Sequence, residues 1–280
     1  MAGDARPRSF YVLAAIFTLF VLFLYGPIAT IVILSFQGAD GGLVFPMRGF
    51  SLHWFEDLFR PQSIGDIWGS FDRSLKLGLI VLVLTVVCSF LAGLAFRHRF
   101  AGATLLFYIV VAGLIMPSVV VSLGIGAMFE LMGWERNWFS SALGAHLTWT
   151  LPFGLLIMFA VFNRFNPAYE EAARDLGASG WQTIRHVVLP IVAPSLIGVA
   201  LFGFTLSYDE LARTSQSGGA LNTLPLELQA MQTNATTPVI YALGTLTTAL
   251  SFAVISICLV TALVLQWRRA RHGSDAGKGV

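Results

Sequence analysis

Arg164-Phe-Asn-Pro-Ala-Tyr-Glu-Glu-Ala-Ala-Arg-Asp-Leu-Gly-Ala-Ser-Gly-Trp-Gln-Thr-Ile-Arg-His-Val-Val-Leu-Pro190 is a polar stretch between two apolar runs, and local rules divide it into two short helices. Asn166 is suited to cap a helix, and Pro167 to hold its first position, where a missing N–H costs nothing. Glu170 and Glu171 fall in the early turns, where the positive end of the helix dipole favours carboxylates. Gly177 is placed as the left-handed residue that stops the helix. Ser179 and Gln182 read as a capping box that opens a second helix, which Pro190 is expected to halt. A mere connector between spans needs less than this. The small pair Ala172 and Ala173 leaves one side of the first helix low, a shape that suits insertion into a groove on a partner.

Outward from this loop the chain is apolar. Of its 280 residues 56% are hydrophobic, and the 27 glycines bring the apolar share to roughly two thirds, against about 45–50% in soluble domains. Charged residues make up 11%, less than half of the usual proportion. So few charges cannot cover a water-facing surface, which excludes a soluble enzyme, a secreted disulfide module and a nucleic-acid binder. Cys88 and Cys258 lie in apolar runs and form neither a disulfide framework nor a metal motif. Six stretches are long enough to span a hydrocarbon core: Phe10–Phe36, Leu77–Phe96, Thr104–Phe129, Leu147–Asn163, Ile191–Tyr208 and Val239–Trp267. The first is too long for a signal-peptide core and has no small-residue cleavage site after it, so it reads as a retained helix. An even number places both termini on one side.

Lys and Arg identify that side as cytoplasmic. Eleven lie there (Arg6, Arg8, Arg97, Arg99, Arg164, Arg174, Arg185, Arg268, Arg269, Arg271 and Lys278), against six on the other face. Five acidic residues are inside and ten outside, giving +6 and −4. The six runs contain no Asp, Glu, Lys, Arg or His. That argues against a proton-coupled carrier, which needs ionisable groups at membrane depth, and against an intramembrane enzyme. Ser118 and Ser122, one turn apart, read either as interhelical glue or as the lining of a passage. There is no phosphate-binding loop: Gly41-Gly42 and Gly218-Gly219 lack the lysine and the strand-to-helix setting.

Glu171-Ala172-Ala173-x3-Gly177-x9-Val187-x-Leu189-Pro190 closely resembles the EAA loop of ABC importer permeases of the type I, maltose- and methionine-permease-like fold. Val187 stands where isoleucine is usual. Further likeness, over nearly the whole chain, is to spermidine/putrescine permeases: Ser74-Leu75-Lys76, Met116-Pro117-Ser118-Val119-Val120, His146 with Leu151-Pro152-Phe153, Ser207-Tyr208-Asp209-Glu210 and Thr223-Leu224-Pro225-Leu226. Arg73, Val239 and Tyr241 depart from that pattern.

The resemblance implies an all-α membrane protein with six transmembrane helices and both termini cytoplasmic, in the bacterial plasma membrane. It divides the chain into a tail and first helix (1–36), an outer loop (37–72), a five-helix core (73–267) carrying the coupling loop (164–190), and a tail (268–280). Glu171, Ala172, Ala173, Asp175, Gly177, Leu189 and Pro190 would couple the chain to two ATP-binding cassette subunits, which would bind ATP and Mg; the chain itself would need no cofactor and catalyse nothing. A second permease, paralogous rather than identical, and a soluble solute-binding protein complete the expected assembly. Tyr208, Asp209, Glu210, Ser118 and Ser122 are the candidates for the solute path, since carboxylates beside an aromatic face suit an ammonium group. The expected solute is a polyamine or related organic cation; iron, phosphonate, opine and small organic-ion importers use similar permeases. A self-sufficient carrier or channel is the alternative from another class.

Overall fold

A computed structural model describes residues 7–60, 65–98, 100–234 and 237–275. Asp4, Arg6, Arg99 and Lys278, which enter the charge asymmetry, lie outside the described residues. The chain runs through α1 (Arg8–Leu34), α2 (His53–Asp57), α3 (Ile67–Phe96), α4 (Ala103–Ile115), α5 (Ser118–Leu131), α6 (Ser141–Asn163), α7 (Ala168–Asp175) and α8 (Gly180–Thr183). A π-helical turn (Ile184–Val188) leads to α9 (Leu189–Tyr208), α10 (Ala212–Ser217), α11 (Leu224–Asn234) and α12 (Val239–Asp275). Among the described residues the only extended pairings are two isolated bridges, Gln37 with Phe50 and Asn137 with Gly219.

The chain divides into two units. One is drawn from Met1–Gly65 and Ala230–Leu250. Its loop is organised on fully buried Gln37, whose amide donates to the Gly42 carbonyl at 3.0 Å and accepts from the Arg48 N–H at 2.7 Å. The Tyr241 hydroxyl donates to the Leu43 carbonyl. The apolar side chains along α1, such as Phe17 and Phe23, are exposed.

The other unit comprises Asp66–Gln229 and Ser251–Val280 and centres on α3, which packs against α6 and α9. Lipid is as apolar as leucine, so helices in a membrane associate through close packing and small residues. Glycine supplies the closeness. A Cβ on Gly78 would stand 3.1 Å from the Phe204 ring, one on Gly93 2.8 Å from Phe162, and one on Gly203 3.4 Å from the Leu82 backbone. Gly154 lies against Ser89 and Thr85, and Thr85 donates to Thr150 across the same interface at 3.0 Å. Met158, Phe162, Val188, Val192 and Val199 form the buried cluster beneath.

Five helical segments are long and apolar enough to cross a membrane: Ser9–Leu34, Ile67–Phe96, Ser141–Asn163, Gly180–Tyr208 and Val239–Thr261. The third expected run, Thr104–Phe129, is instead two helices, α4 and α5, bent by 110° and meeting the same test only together. Proline causes the break: the ring of Pro117 drives Met116 out of the helical region, to φ −66° and ψ 131°, and removes an N–H from the ladder.

Other expected boundaries move as well. Helix α3 begins ten residues before Leu77, capped by Asp66, which accepts from the Gly69 N–H at 2.9 Å. Its first turns carry Asp72, Arg73 and Lys76, charges that precede the expected apolar run Leu77–Phe96. They are satisfied locally, Lys76 by Asp72 at 2.6 Å and Arg73 by Asp66 at 3.1 Å and the Asn222 carbonyl at 2.7 Å. Helix α6 begins at Ser141 and so takes in His146. Nor does Pro190 halt the second loop helix, for Gly180–Tyr208 is one continuous helix. The π turn widens the ladder, with the Leu189 N–H reaching back to the Ile184 carbonyl. This makes room where the Pro190 ring would otherwise meet the preceding turn.

Valine at position 154 would overpack the α3–α6 interface against Ser89 and Thr85, whereas Cβ space at Gly144 is open. Gly154→Val is expected to cost about 1–3 kcal/mol and Gly144→Ala to be neutral or stabilising by up to about 1 kcal/mol. Thermal unfolding midpoints in detergent, falling for the first and not for the second, check this.

Candidate functional site

Two polar constructions hold the candidate residues, and Arg73 and Arg97 stand at the two ends of α3. Arg73, with its partners, and Arg97 are 24 residues apart, about 36 Å along a helix.

The first is the loop from Arg164 to Pro190. The Asn166 carboxamide accepts from the Ala168 N–H at 3.1 Å and so caps α7. At the other end the Ala178 N–H donates to the Ala173 carbonyl at 3.0 Å and the Gly177 N–H to that of Arg174 at 2.8 Å, the paired bonds of a Schellman motif. Gly177 has φ +83° with no atom near its Cβ position, so glycine is needed there for conformation and not for space. The Ser179–Gln182 capping box is present in both directions. All three local readings hold.

Of the seven coupling candidates, Glu171, Ala172, Asp175 and Gly177 are exposed and Ala173 half-buried. Leu189 and Pro190 are exposed at the start of α9, beyond the π turn. Tyr169, Ala172, Ala173 and Leu176 share one side of α7 by their spacing. Leu176 is 90% exposed, and Tyr169 and Trp181 are also exposed. Large exposed apolar side chains grouped in this way are a feature of interaction surfaces.

The same helix is anchored from behind by Glu170. Arg97, at the end of α3, holds it with two bonds of 2.6 and 3.0 Å. The guanidinium lies over the rings of Phe162 and Phe165, 5.2 and 5.1 Å from their centroids. This pair was not singled out in the sequence. Spacing alone offers Arg174, four residues on, as the partner of Glu170, so the long-range pairing with Arg97 had no local signal.

The second construction gathers the solute-path candidates around α10, which turns back to pack on α5 and α6. Arg213 is 2% exposed. It pairs with Glu210 at 3.4 Å, donates to Ser118 at 2.8 Å and to Thr148 at 3.4 Å, and lies 4.5 Å over the Trp149 ring. Glu210 also accepts the Arg213 backbone N–H at 2.8 Å. Ser122 donates to the Arg213 carbonyl. His146, buried, is bridged at 2.8 Å on each ring nitrogen, by Ser207 and by Thr214. Glu210, Ser118 and Ser122 are therefore brought together and already partnered. His146, Arg213 and Glu210 are buried together, Arg213 and Glu210 paired with each other and His146 met by Ser207 and Thr214. Tyr208 is buried and stacked on Phe204. Asp209 is exposed at its tip yet crowded enough by its neighbours that lost hydration pushes its carboxyl above the usual value.

The helical bundle with a capped, exposed loop helix defines a membrane permease, and the comparisons give the family. Residues 85–272 match the model of the binding-protein-dependent transport system inner membrane component. The chain belongs to that family. It is 30% identical over 235 residues to the spermidine/putrescine transport system permease protein PotC of Haemophilus influenzae, covering 83% of this chain and 89% of that protein. It is 29% identical over 233 residues to the putrescine transport system permease protein PotI of Escherichia coli K12, covering 80% and 81%. In structure it resembles a chain of a bacterial ABC transporter involved in the import of the acidic polysaccharide alginate. That likeness has a TM-score of 0.63 at 15% identity, over 90% of this chain and 94% of the other.

Removing the Arg213 side chain strands a buried carboxylate. Arg213→Ala is expected to cost about 3–5 kcal/mol and Arg213→Lys less, while Asp209→Asn, which removes a partly desolvated charge, leaves the melting midpoint in detergent unchanged or slightly raised. Equal midpoints for Arg213→Ala and the parent would contradict the pairing.

Proposed function

We propose that the chain is the transmembrane permease subunit of an ATP-driven, binding-protein-dependent importer of polyamines or a related small organic cation. The observation that carries the reading is α7: a short helix, fixed at both ends by its own caps and presenting Glu171, Ala172 and an apolar stripe, on a chain of this family. The relatives' names, spermidine/putrescine and putrescine permeases, supply the solute class.

In this reading the bent pair α4–α5 serves as one span, six in all, and the Lys and Arg excess places both termini and α7 in the cytoplasm. Two ATP-binding cassette subunits hold ATP and Mg and dock on Glu171, Ala172, Ala173, Asp175 and Gly177, with Leu189 and Pro190 passing the movement into α9. A second, paralogous permease completes the passage, and a soluble binding protein delivers solute to the opposite face. ATP-driven closure of the cassettes rocks the bundles between inward-open and outward-open states. Asp209 is the carboxylate that remains free for an ammonium group; Tyr208, Glu210, Ser118 and Ser122 shape the path by fixing α10 and the end of α9.

Reconstitution of the complete complex with its binding protein tests this through ATP-dependent uptake of radiolabelled spermidine and putrescine. Lack of uptake of either would exclude the polyamine reading. Gly177→Val forces a β-branched residue into a left-handed position, and Glu171→Lys reverses the charge at the docking face. Both are expected to leave little solute-stimulated ATPase activity.

Asp209→Asn is expected to raise the half-saturating spermidine concentration about two- to fivefold with assembly intact. Because the Asp209 carboxyl is raised, its proton returns early as the pH falls. Affinity should therefore weaken on acidification in the parent and not in Asp209→Asn, as measured by uptake across a pH series.

A further inference from the structure

We propose that Arg97 and Glu170 are positioning residues for energy coupling, a strut that transmits movement of α7 into α3 and α6. The proposal rests on the importer reading and adds to it the internal half of the linkage.

Successive residues on a helix point about 100° apart. Glu171 is exposed while Glu170, its neighbour, is 13% exposed and turned to Arg97, itself 21% exposed. One carboxylate of α7 thus faces outward, to whatever docks there, and the other faces the bundle. Such a division lets a short helix be pushed from one side and push on the other.

The inward contact is stiff for three reasons. It is bidentate, with both guanidinium nitrogens on both carboxylate oxygens, so it fixes orientation as well as distance. The guanidinium is held by the faces of Phe162 and Phe165, so Arg97 cannot swing to follow Glu170 without losing those contacts. And Arg97 caps α3, which packs on both α6 and α9, while Phe162 belongs to α6 and to the buried cluster with Val188 and Val192. Displacement of Glu170 therefore loads α3 and α6 together. The chain alone, through the short link from Gly177 to Gly180, already carries α7 into α8 and α9. Without the strut, α9 would be driven and α3 would follow only by packing.

Each substitution removes a different part of this. Glu170→Gln keeps the shape and abolishes the charge; Arg97→Lys keeps the charge and abolishes the fork and the stacking plane. The complete complex, reconstituted in proteoliposomes with enclosed ATP, is assayed for tritiated spermidine taken up per ATP hydrolysed and for co-purification of the ATPase subunits. Uptake per ATP is expected to fall about tenfold in Glu170→Gln and by a smaller factor in Arg97→Lys, with co-purification unchanged in both. A ratio within about twofold of the parent in an assembled Glu170→Gln complex overturns the strut. Loss of ATPase co-purification in both variants overturns it too, because the pair would then build the docking face and not transmit through it. A parent complex without ATP-driven uptake overturns the importer reading and the strut with it, whereas an active parent with unaffected variants overturns the strut alone.

Discussion

Helix α3 meets α6 and α9 at separations that only glycine permits. In water the expulsion of solvent would drive such helices together over looser surfaces, but a bundle surrounded by hydrocarbon gains nothing from exchanging lipid for leucine. What remains is dispersion, which falls off steeply with distance, and a few hydrogen bonds. Gly78, Gly93, Gly154 and Gly203 bring backbones close enough for dispersion to count, and the Thr85–Thr150 bond is made at the same interface. Everything at the two ends of the unit is positioned by this contact, because α3 is the element that runs from one to the other.

The ends are built on a different principle. Where the bundle opens toward water, charge becomes affordable provided each group is met. Arg73 is met by Asp66 and a carbonyl, Arg213 by Glu210, Ser118, Thr148 and an indole face, and Arg97 by Glu170 between two phenyl rings. Arg73 and Arg213 use their several donors on more than one element, while Arg97 sets two donors on Glu170 and lies over the rings of Phe162 and Phe165. A lysine, with a compact and strongly hydrated charge, would suit none of these sites. The Arg213 cluster thereby holds α10 against α5 and α6, and the Arg97–Glu170 pair ties α7 to the end of α3.

The parts legible in the sequence were those decided within a few residues. Asn166, Gly177 and the Ser179–Gln182 box each act on a neighbour, so local rules placed α7 and α8 correctly. Long apolar runs likewise marked the spans. The 110° bend at Pro117 was not legible, because the angle depends on what α4 and α5 pack against. Asp, Glu, Arg, Thr, Ser and Gln dominate residues 209–217, which gives no local sign of burial; Arg213 among them is buried by Ser118, Ser122, Thr148 and Trp149, far away in sequence. Ser118 and Ser122 had been noticed as polar groups one turn apart in an apolar run. They were the visible half of that interaction.

Pro190 shows how a local rule can fail without being wrong. The rule that proline ends a helix assumes an unaltered ladder of i to i−4 bonds. Here five residues adopt a π turn, the ladder widens, and the helix continues from Gly180 to Tyr208. A stop at Pro190 would have left α8 hinged on the fifth span, free to tilt without moving it. Continuity makes α8 the lower end of that span, so that a displacement of the loop becomes a displacement of α9, and of Ser207 and Tyr208 at its far end. A single rigid rod thus joins the capped loop to the buried His146 bridge, which Ser207 completes on one ring nitrogen. The rod has two irregular places, the π turn at Ile184–Val188 and Pro194 within α9, and it is at these that such a rod would bend under load.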